Sequence, residues 1–183
     1  MTLTTAKWTL ADYHQMIASG ILDHRRVELL NGEIVEMAPE GPEHAYLGDE
    51  TGKYLGTLLG DRARVREGRS ITLAPNSEPE PDIAVVRPLG EVYRQRHPYS
   101  EDVFWLIEFS NTSLAKDLKP KRQLYVAAEI SEYWVVNLKA RHLLVFRHPR
   151  EGDYHREEKL SQGMVAPLAF PEVANSVTRL LGL

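Results

Sequence analysis

Apolar side chains recur along this 183-residue chain with two different periods, and the period changes from segment to segment. Residues 9 to 20 carry an apolar stripe at helical spacing that ends at a glycine, and residues 43 to 60 repeat such a stripe. Between them, two short apolar runs flank Asn31-Gly32, a dipeptide that tolerates the positive φ of a two-residue hairpin turn. The first third of the chain therefore predicts a helix, a β-hairpin and a second helix.

The middle of the chain has the composition of β-strands. Residues 64 to 67 and 70 to 73 look like short strands separated by a glycine, and a third strand follows Asp82. The run from residue 103 to 109 is apolar almost throughout, as expected for a central strand covered on both faces. Residues 87 to 101 lack any clear period and predict a polar loop.

The last third predicts a crossover followed by a hairpin. Residues 118 to 129 show the apolar spacing of a helix before Tyr133 begins another strand. Because such crossovers need a dozen or more residues, the strands on either side of this helix should be parallel. Residues 143 to 146 and 154 to 160 predict a hairpin, and residues 177 to 181 a short terminal element.

Composition narrows the class of protein. With 43% hydrophobic and 26% charged residues, the chain is expected to form one domain over residues 1–183. It contains no cysteine, which excludes disulfides, cysteine-bound zinc and iron–sulfur clusters. A net charge of −4 argues against a protein that coats nucleic acid through bulk electrostatics.

The sequence shows neither the apolar run of a membrane span nor the pattern of a signal peptide. Its longest central apolar run is far shorter than the roughly 20 residues of a membrane span. The first eight residues have no basic region followed by an apolar core, so we expect no signal peptide and a cytoplasmic location without membrane association.

Two carboxylates stand against strongly β-prone runs: Asp82, directly after Pro81, and Glu108, near the end of the 103-to-109 run. An ionised carboxylate costs several kcal/mol to bury unless a cation or hydrogen-bond donors meet it. If the two strands are antiparallel neighbours, both acids lie at one end of the sheet, where hard oxygen ligands favour Mg²⁺ or Mn²⁺. The alternative is that Asp82 caps a turn and Glu108 pairs with a surface arginine.

Lys121 is the third residue of interest. It follows Leu118 by three residues and precedes Tyr125 by four, so it lies on the helical stripe that faces the sheet. Its ammonium would then lie beside the two acids and stabilise charge developing on a phosphate. The alternative is an ordinary helical salt bridge between Asp117 and Lys121.

These residues form an ordered set. In this sequence it reads Pro81-Asp82, Glu108-Phe109-Ser110, Asp117, Lys121, Tyr125 and Glu132-Tyr133-Trp134, with upstream matches from Val27 to Ile34 and at Met37 and His44. The set resembles the Uma-two putative restriction endonuclease family of the PD-(D/E)XK nuclease superfamily, and it covers most of residues 8 to 138.

The resemblance implies an α/β (α+β) fold with a restriction-endonuclease-like αβββαβ core, in which helices flank a mixed central sheet and the C-terminal β-hairpin is an addition. It implies Asp82 and Glu108 as Mg²⁺ (or Mn²⁺) ligands, Glu28 as a further ligand and Lys121 as the catalytic lysine.

Two departures from the family pattern bear on the lysine. Ser110 occupies the position, two residues after the second acid, where the superfamily usually has lysine. Pro120 precedes Lys121. It is tolerated if Asp117 caps the helix and Pro120 lies in the first turn, whereas in a helix that began as early as Ser113 it would cause a kink and displace Lys121 from the site.

The first hypothesis is a Mg²⁺-dependent endodeoxyribonuclease, with DNA as substrate by resemblance. Its sugar-phosphate contacts would come from basic residues, namely Lys116, Lys119, Arg122, Arg94 and Arg96. The second is a catalytically silent nuclease-fold protein that binds nucleic acid or assembles, as a homodimer through the 141-to-160 hairpin. Fold alone does not decide between them.

Overall fold

The computed structural model describes residues 4–183, which form ten strands and several helices. The strands are β1 (Val27–Leu30), β2 (Glu33–Glu36), β3 (Arg64–Glu67), β4 (Ile83–Val86), β5 (Val103–Ser110), β6 (Glu132–Asn137), β7 (His142–Arg150), β8 (Asp153–Leu160), β9 (Met164–Val165) and β10 (Asn175–Ser176).

The helices are α1 (Leu10–Ala18), α2 (Pro42–Leu59), α3 (Leu114–Lys116), a π-helical turn (Asp117–Lys121), α4 (Arg122–Ala127) and α5 (Val177–Leu180), with 3₁₀ turns at Gly60–Arg62, Gly90–Arg94 and Ser100–Asp102. Within residues 4–183, none of them has the length and hydropathy of a membrane span.

Six strands form the central sheet in the order β3-β4-β5-β6-β7-β8. β5 and β6 are parallel, as predicted for strands joined by a helical crossover, and the other neighbouring pairs are antiparallel. In chain order, α2, β3, β4, β5, α4 and β6 reproduce the predicted αβββαβ core. The mixed sheet with a C-terminal β7-β8 hairpin confirms the fold class.

Local sequence signals explain the N-terminal elements. Thr9 and Asp12 form a capping box at the start of α1. Asn31 and Gly32 both adopt positive φ, at 49° and 74°, which closes the predicted β1-β2 hairpin. This hairpin is a separate two-stranded sheet, and it brings β1 up against the loop that precedes β4.

The two faces of the central sheet are covered by different helices. Trp105 and Ile107 of β5 point into a core that includes Leu55 and Leu59 of α2. Leu106 points the opposite way, into a core built with Tyr125 of α4 and aromatic residues of β6 and β7. Because side chains alternate along a strand, Glu108 shares the α4 face with Leu106.

The strand predicted over residues 70 to 73 does not form. Thr72 and Leu73 make only isolated bridges, to Tyr99 and Ser77. The Leu73 amide donates to the Ser77 carbonyl and the Ser77 amide donates back, so the chain turns on itself before it can pair along β3. The predicted helix also begins earlier than residue 118, at Leu114.

A buried acid ties the C-terminal segment to the sheet. Glu132 is fully buried, and its Oε1 accepts hydrogen bonds from Trp134 Nε1 at 2.7 Å and Arg147 Nε at 2.8 Å. Its Oε2 accepts from the Leu168 amide at 2.5 Å, and Arg147 Nη2 donates to the Ala166 carbonyl at 2.6 Å. Glu132 of the family-like Glu-Tyr-Trp motif therefore has a structural role.

Replacing Glu132 with alanine should lower the free energy of unfolding by about 3 kcal/mol, because it leaves the buried Arg147 guanidinium with only the longer, partly exposed contact to Glu158 at 3.3 Å. Glu157→Ala is the matched control, since its pair with Arg122 is half-exposed and should contribute at most about 1 kcal/mol. Urea unfolding monitored by tryptophan fluorescence measures both, and equal losses in the two variants would contradict this role for Glu132.

Candidate active site

The antiparallel pairing of β4 and β5 brings the two predicted acids together. Ile83 lies opposite Ile107, so Asp82, just before β4, is beside Glu108, near the end of β5. The Asp82 amide nitrogen lies 3.4 Å from Glu108 Oε2, and the Phe109 amide donates to Asp82 Oδ2 at 2.6 Å. Asp82 keeps 21% of its side chain exposed, whereas Glu108 is buried.

Lys121 lies in the same cluster. Its Nζ is 2.8 Å from Glu108 Oε1 and 3.3 Å from Glu28 Oε2, and it also donates to the Glu80 carbonyl at 3.3 Å. The Tyr125 hydroxyl donates to Glu108 Oε1 at 3.0 Å. The Lys121 side chain is only 2% exposed, so its charge is compensated almost entirely by these protein groups.

The helix that carries Lys121 starts early, and the expectation that Pro120 would then displace the lysine is wrong. Pro120 lies inside the π-helical turn of Asp117–Lys121. Such a turn is wider than a regular α-helical turn and tolerates a residue without an amide hydrogen. Both Asp117 and Lys121 are buried toward the sheet.

Glu28 joins the site from the separate β1-β2 hairpin. It is fully buried; Lys116 Nζ lies 2.8 Å from its Oε1, and the Glu80 amide donates to its Oε2 at 3.1 Å. Burial acts to raise the pKa of Glu28, but the charges of Lys121 and Lys116 outweigh it and leave the pKa lowered. Glu28 is thus an ionised anchor for two lysines.

The electrostatics keep Lys121 protonated. Burial acts to lower the pKa of its ammonium, but the carboxylates of Glu108 and Glu28 outweigh burial and raise the pKa overall. Burial and the nearby charge of Asp82 act to raise the pKa of Glu108, whereas the Lys121 ammonium opposes both and favours the ionised carboxylate. Lys121 therefore acts in this site as a fixed cation.

Asp117 is a site residue to which the sequence analysis gave no role in the site. Its side chain is 1% exposed, and Oδ2 accepts hydrogen bonds from Ser110 Oγ at 2.6 Å and Ser113 Oγ at 2.7 Å. Oδ1 is buried without a partner. Ser110, which replaces the usual lysine, thus orients Asp117. The place of Asp117 in the family-like set, four residues before Lys121, marked the residue in the sequence but did not indicate this role.

His44, in the first turns of α2, borders the acids. Its Nε2 lies 3.0 Å from Asp82 Oδ2, without the alignment of a hydrogen bond. Burial acts to lower the pKa of His44, but its contact with Asp82 and the charges of Glu40 and Asp117 raise the pKa overall. This shift favours the protonated imidazole beside Asp82, which would add a third positive group to the cavity after Lys121 and Lys116.

These side chains surround one cavity of about 270 Å³. Its titratable lining comprises Glu40, His44, Asp82, Glu108, Lys116, Asp117 and Lys121. The lysines in this concave site suit a negatively charged ligand, and the carboxylates suit a metal cation that binds with that ligand.

The donor chemistry fits Mg²⁺ or Mn²⁺. Within residues 4–183, no three His, Asp or Glu side chains form a ready metal-binding cluster. Mg²⁺ in proteins commonly binds one or two carboxylates and keeps several of its own water ligands. Asp82 and Glu108 would supply the two carboxylates. The unpartnered Oδ1 of Asp117 is a further acceptor at the cavity wall.

Three of the basic residues predicted to contact nucleic acid lie on the helical segment near the site, and they differ in exposure and in ion pairing. Lys116 lines the cavity while paired with Glu28. Lys119 is exposed. Arg122 turns away from the cavity toward β8, where it pairs with acidic residues and its guanidinium lies 4.3 Å from the Phe146 ring centroid.

The other two lie beyond the opposite end of β4 from Asp82. Arg94 ends the 3₁₀ turn Gly90–Arg94 and pairs with Glu91 at 2.8 Å. Arg96 pairs with the buried Asp102 at 2.5 Å and lies 4.1 Å from the Tyr99 ring centroid. Nucleic-acid binding by Arg94 and Arg96 stays a prediction.

The family model described as Uma2, putative restriction endonuclease, matches residues 10–178. The chain belongs to the Uma2 family. The match spans α1 through the start of α5 and includes Glu28, Asp82, Glu108 and Lys121, so the resemblance inferred from the sequence is confirmed.

Among solved structures, the Uma2 chain is similar to a putative nuclease belonging to DUF820 from Anabaena variabilis ATCC 29413. The TM-score is 0.67 at 18% sequence identity, covering 85% of this chain and 89% of the other. At that identity the likeness establishes a shared fold. A search of curated proteins gives no significant match.

The Arg96–Asp102 pair predicts acid-sensitive stability. Burial acts to raise the pKa of Asp102, but Arg96 and the Tyr99 amide outweigh it and leave the pKa lowered. A depressed carboxyl pKa stabilises the fold above the unfolded value, about 3.9, and this contribution is lost as the pH falls through the folded value.

Between about pH 4 and pH 2, wild-type protein should therefore lose more unfolding free energy than Asp102→Asn, measured by urea midpoints. Glu101→Gln, at the exposed neighbouring position, should follow the wild-type curve. Parallel curves for wild type and Asp102→Asn would contradict the assignment.

Proposed function

We propose that this Uma2 protein is a Mg²⁺-dependent endonuclease that hydrolyses phosphodiester bonds in DNA. The observation that carries the proposal is the buried ammonium of Lys121, held between Glu108 and Glu28 at the wall of a cavity that Asp82 also lines. A lysine buried to this degree, beside acids that a purely structural core does not need, is characteristic of a functional site.

In this proposal Asp82 and Glu108 hold the cation. When bound, the cation supplies Lewis acidity to a phosphoryl oxygen and offsets its negative charge. Asp117 faces the same cavity, and its two serine partners fix the carboxylate in one orientation. A pre-oriented acceptor of this kind suits the positioning of a water molecule next to the phosphate.

The lysines provide the complementary charge. Because its pKa is raised, Lys121 stays an ammonium and stabilises negative charge on the phosphate during in-line attack, rather than serving as a base. Glu28 of β1 positions both Lys121 and Lys116, since each of its two carboxylate oxygens faces one ammonium group. The further role of Glu28 as a metal ligand stays a prediction.

DNA as the substrate follows the family description, restriction endonuclease. Lys116 at the cavity and the exposed Lys119 nearby on the same helical segment are positioned to contact phosphates that flank the scissile bond. A homodimer through the 141-to-160 hairpin and a cytoplasmic location stay predictions.

Cleavage of supercoiled plasmid, linear duplex and single-stranded DNA tests the proposal. With Mn²⁺ or Mg²⁺, Asp82→Asn, Glu108→Gln and Lys121→Met should each reduce the cleavage rate by at least about 100-fold, because each removes a charge that acts on the phosphate or the cation. Lys159→Met, an exposed lysine on β8, is the matched control and should cleave like wild type.

Asp82→Asn is the most informative variant, because Asp82 is partly exposed and its loss should leave the fold intact. Thermal unfolding verifies that each variant is folded. Cleavage that survives Asp82→Asn, or that proceeds equally in EDTA, would contradict the proposal. Absence of cleavage by wild type on all three substrates would favour the catalytically silent binding protein.

A further inference from the structure

A second concentration of positive charge lies on the edge strand β3. Arg64 and Arg66 are separated by one residue, so they point to the same face of the sheet, and Arg69 follows shortly after β3. In the part of the chain that the structure describes, no carboxylate lies within ion-pair distance of Arg64 or Arg66. These guanidinium groups are therefore uncompensated.

Of these arginines, Arg66 has the least favourable environment for its charge. Its Nε is buried and has no hydrogen-bond acceptor, and its guanidinium carbon lies 5.6 Å from the centroid of the Tyr93 ring. Burial lowers the pKa of Arg66, and repulsion from Arg64 and Arg69 lowers it further. A partly desolvated cation without a counter-ion is costly, and an anion bound next to it would remove that cost.

The space for such an anion is present. A cavity of about 450 Å³ is lined by both β3 arginines together with Pro88, Glu91, Tyr93 and Arg94. Because Arg94 is paired with Glu91, the net positive charge of the cavity comes from Arg64 and Arg66. The planar guanidinium groups suit bidentate pairing with phosphate oxygens, and the Tyr93 ring offers an apolar wall for an attached sugar or base.

Arg66 points to the same face of the sheet as Glu108, and the cavity extends from Arg66 toward the end of β4 opposite Asp82. Arg66 is the pairing partner of Ala84 in β4, two residues from Asp82. From strand geometry, the Cα atoms of Arg66 and Asp82 are about 8 Å apart. A strand whose phosphate occupies the cavity beside Asp82 can therefore reach the β3 arginines within a few nucleotides.

We propose that the cavity lined by Arg64, Arg66 and Tyr93, here called the Arg66 pocket, binds a phosphate group of a nucleic-acid strand outside the site of cleavage. The nucleic-acid assignment rests on the proposed function. Phosphate binding itself rests on the uncompensated arginines and the cavity.

Fluorescence anisotropy in EDTA, with a labelled 20-nucleotide DNA as single strand and as duplex, tests the pocket without cleavage. Arg66→Gln should weaken binding about 5-fold or more, and the slope of log K against log salt should become shallower by about 1. Arg64→Gln should act in the same direction. Arg156→Gln, which makes the same charge change on the opposite edge strand β8, should bind like wild type.

A stability measurement separates a binding role from a structural one. Without ligand, Arg66→Gln should be at least as stable to heat as wild type, because the substitution relieves repulsion among the arginines. The oligonucleotide should raise the melting temperature of wild type more than that of Arg66→Gln, as expected for a ligand that binds the folded state. If Arg66→Gln does not fold, the exposed Arg64→Gln carries the test alone.

Unchanged affinity and salt slope in both variants, without any Arg66-dependent protection by inorganic phosphate, would overturn phosphate binding at this pocket. If inorganic phosphate protects wild type but not Arg66→Gln from heat while oligonucleotide affinity is unaffected, the pocket takes free phosphate and the nucleic-acid assignment is overturned. Arg66-dependent DNA binding by a wild type that cleaves nothing would support the pocket and count against the nuclease proposal alone.

Discussion

The buried ammonium of Lys121 is the interaction on which the rest of the structure depends. It joins three parts of the chain, because Glu108 comes from β5, Glu28 from the β1-β2 hairpin and Lys121 from the helical crossover. Removing this cation would leave the buried Glu108 without a counter-ion and Glu28 with Lys116 alone, at a cost of several kcal/mol. The group that holds the hairpin and the crossover against the sheet is therefore the same group that gives the cavity its chemical character.

Sheet topology explains why these groups meet. The antiparallel pairing of β4 with β5 places Asp82 beside Glu108, and the parallel pairing of β5 with β6 requires a crossover that passes over that same edge. The π-helical turn then accommodates Pro120 and leaves Lys121 buried toward the acids. Uma2 membership and the structural likeness to a putative nuclease establish the family and the fold, and the arrangement of these side chains rests on the geometry described above.

Much of this was predictable, because strand alternation and helical spacing are local properties. They were sufficient to place Asp82, Glu108 and Lys121 on facing surfaces. The role of Asp117 was not predictable, since it depends on two serine hydroxyls and on a π-helical turn that no spacing rule specifies. The pairing of Glu28 with Lys116 also escaped prediction, because a separate hairpin can dock in many ways.

We propose that Asp82 and Glu108 share one cation while Lys121 remains paired with Glu108. Anomalous diffraction from crystals soaked in Mn²⁺ would locate that cation without any substrate. We expect one strong peak at about 2.0 to 2.6 Å from oxygens of both acids, with the Lys121 ammonium still in contact with Glu108. A peak elsewhere on the molecule, or no peak at saturating Mn²⁺, would contradict it.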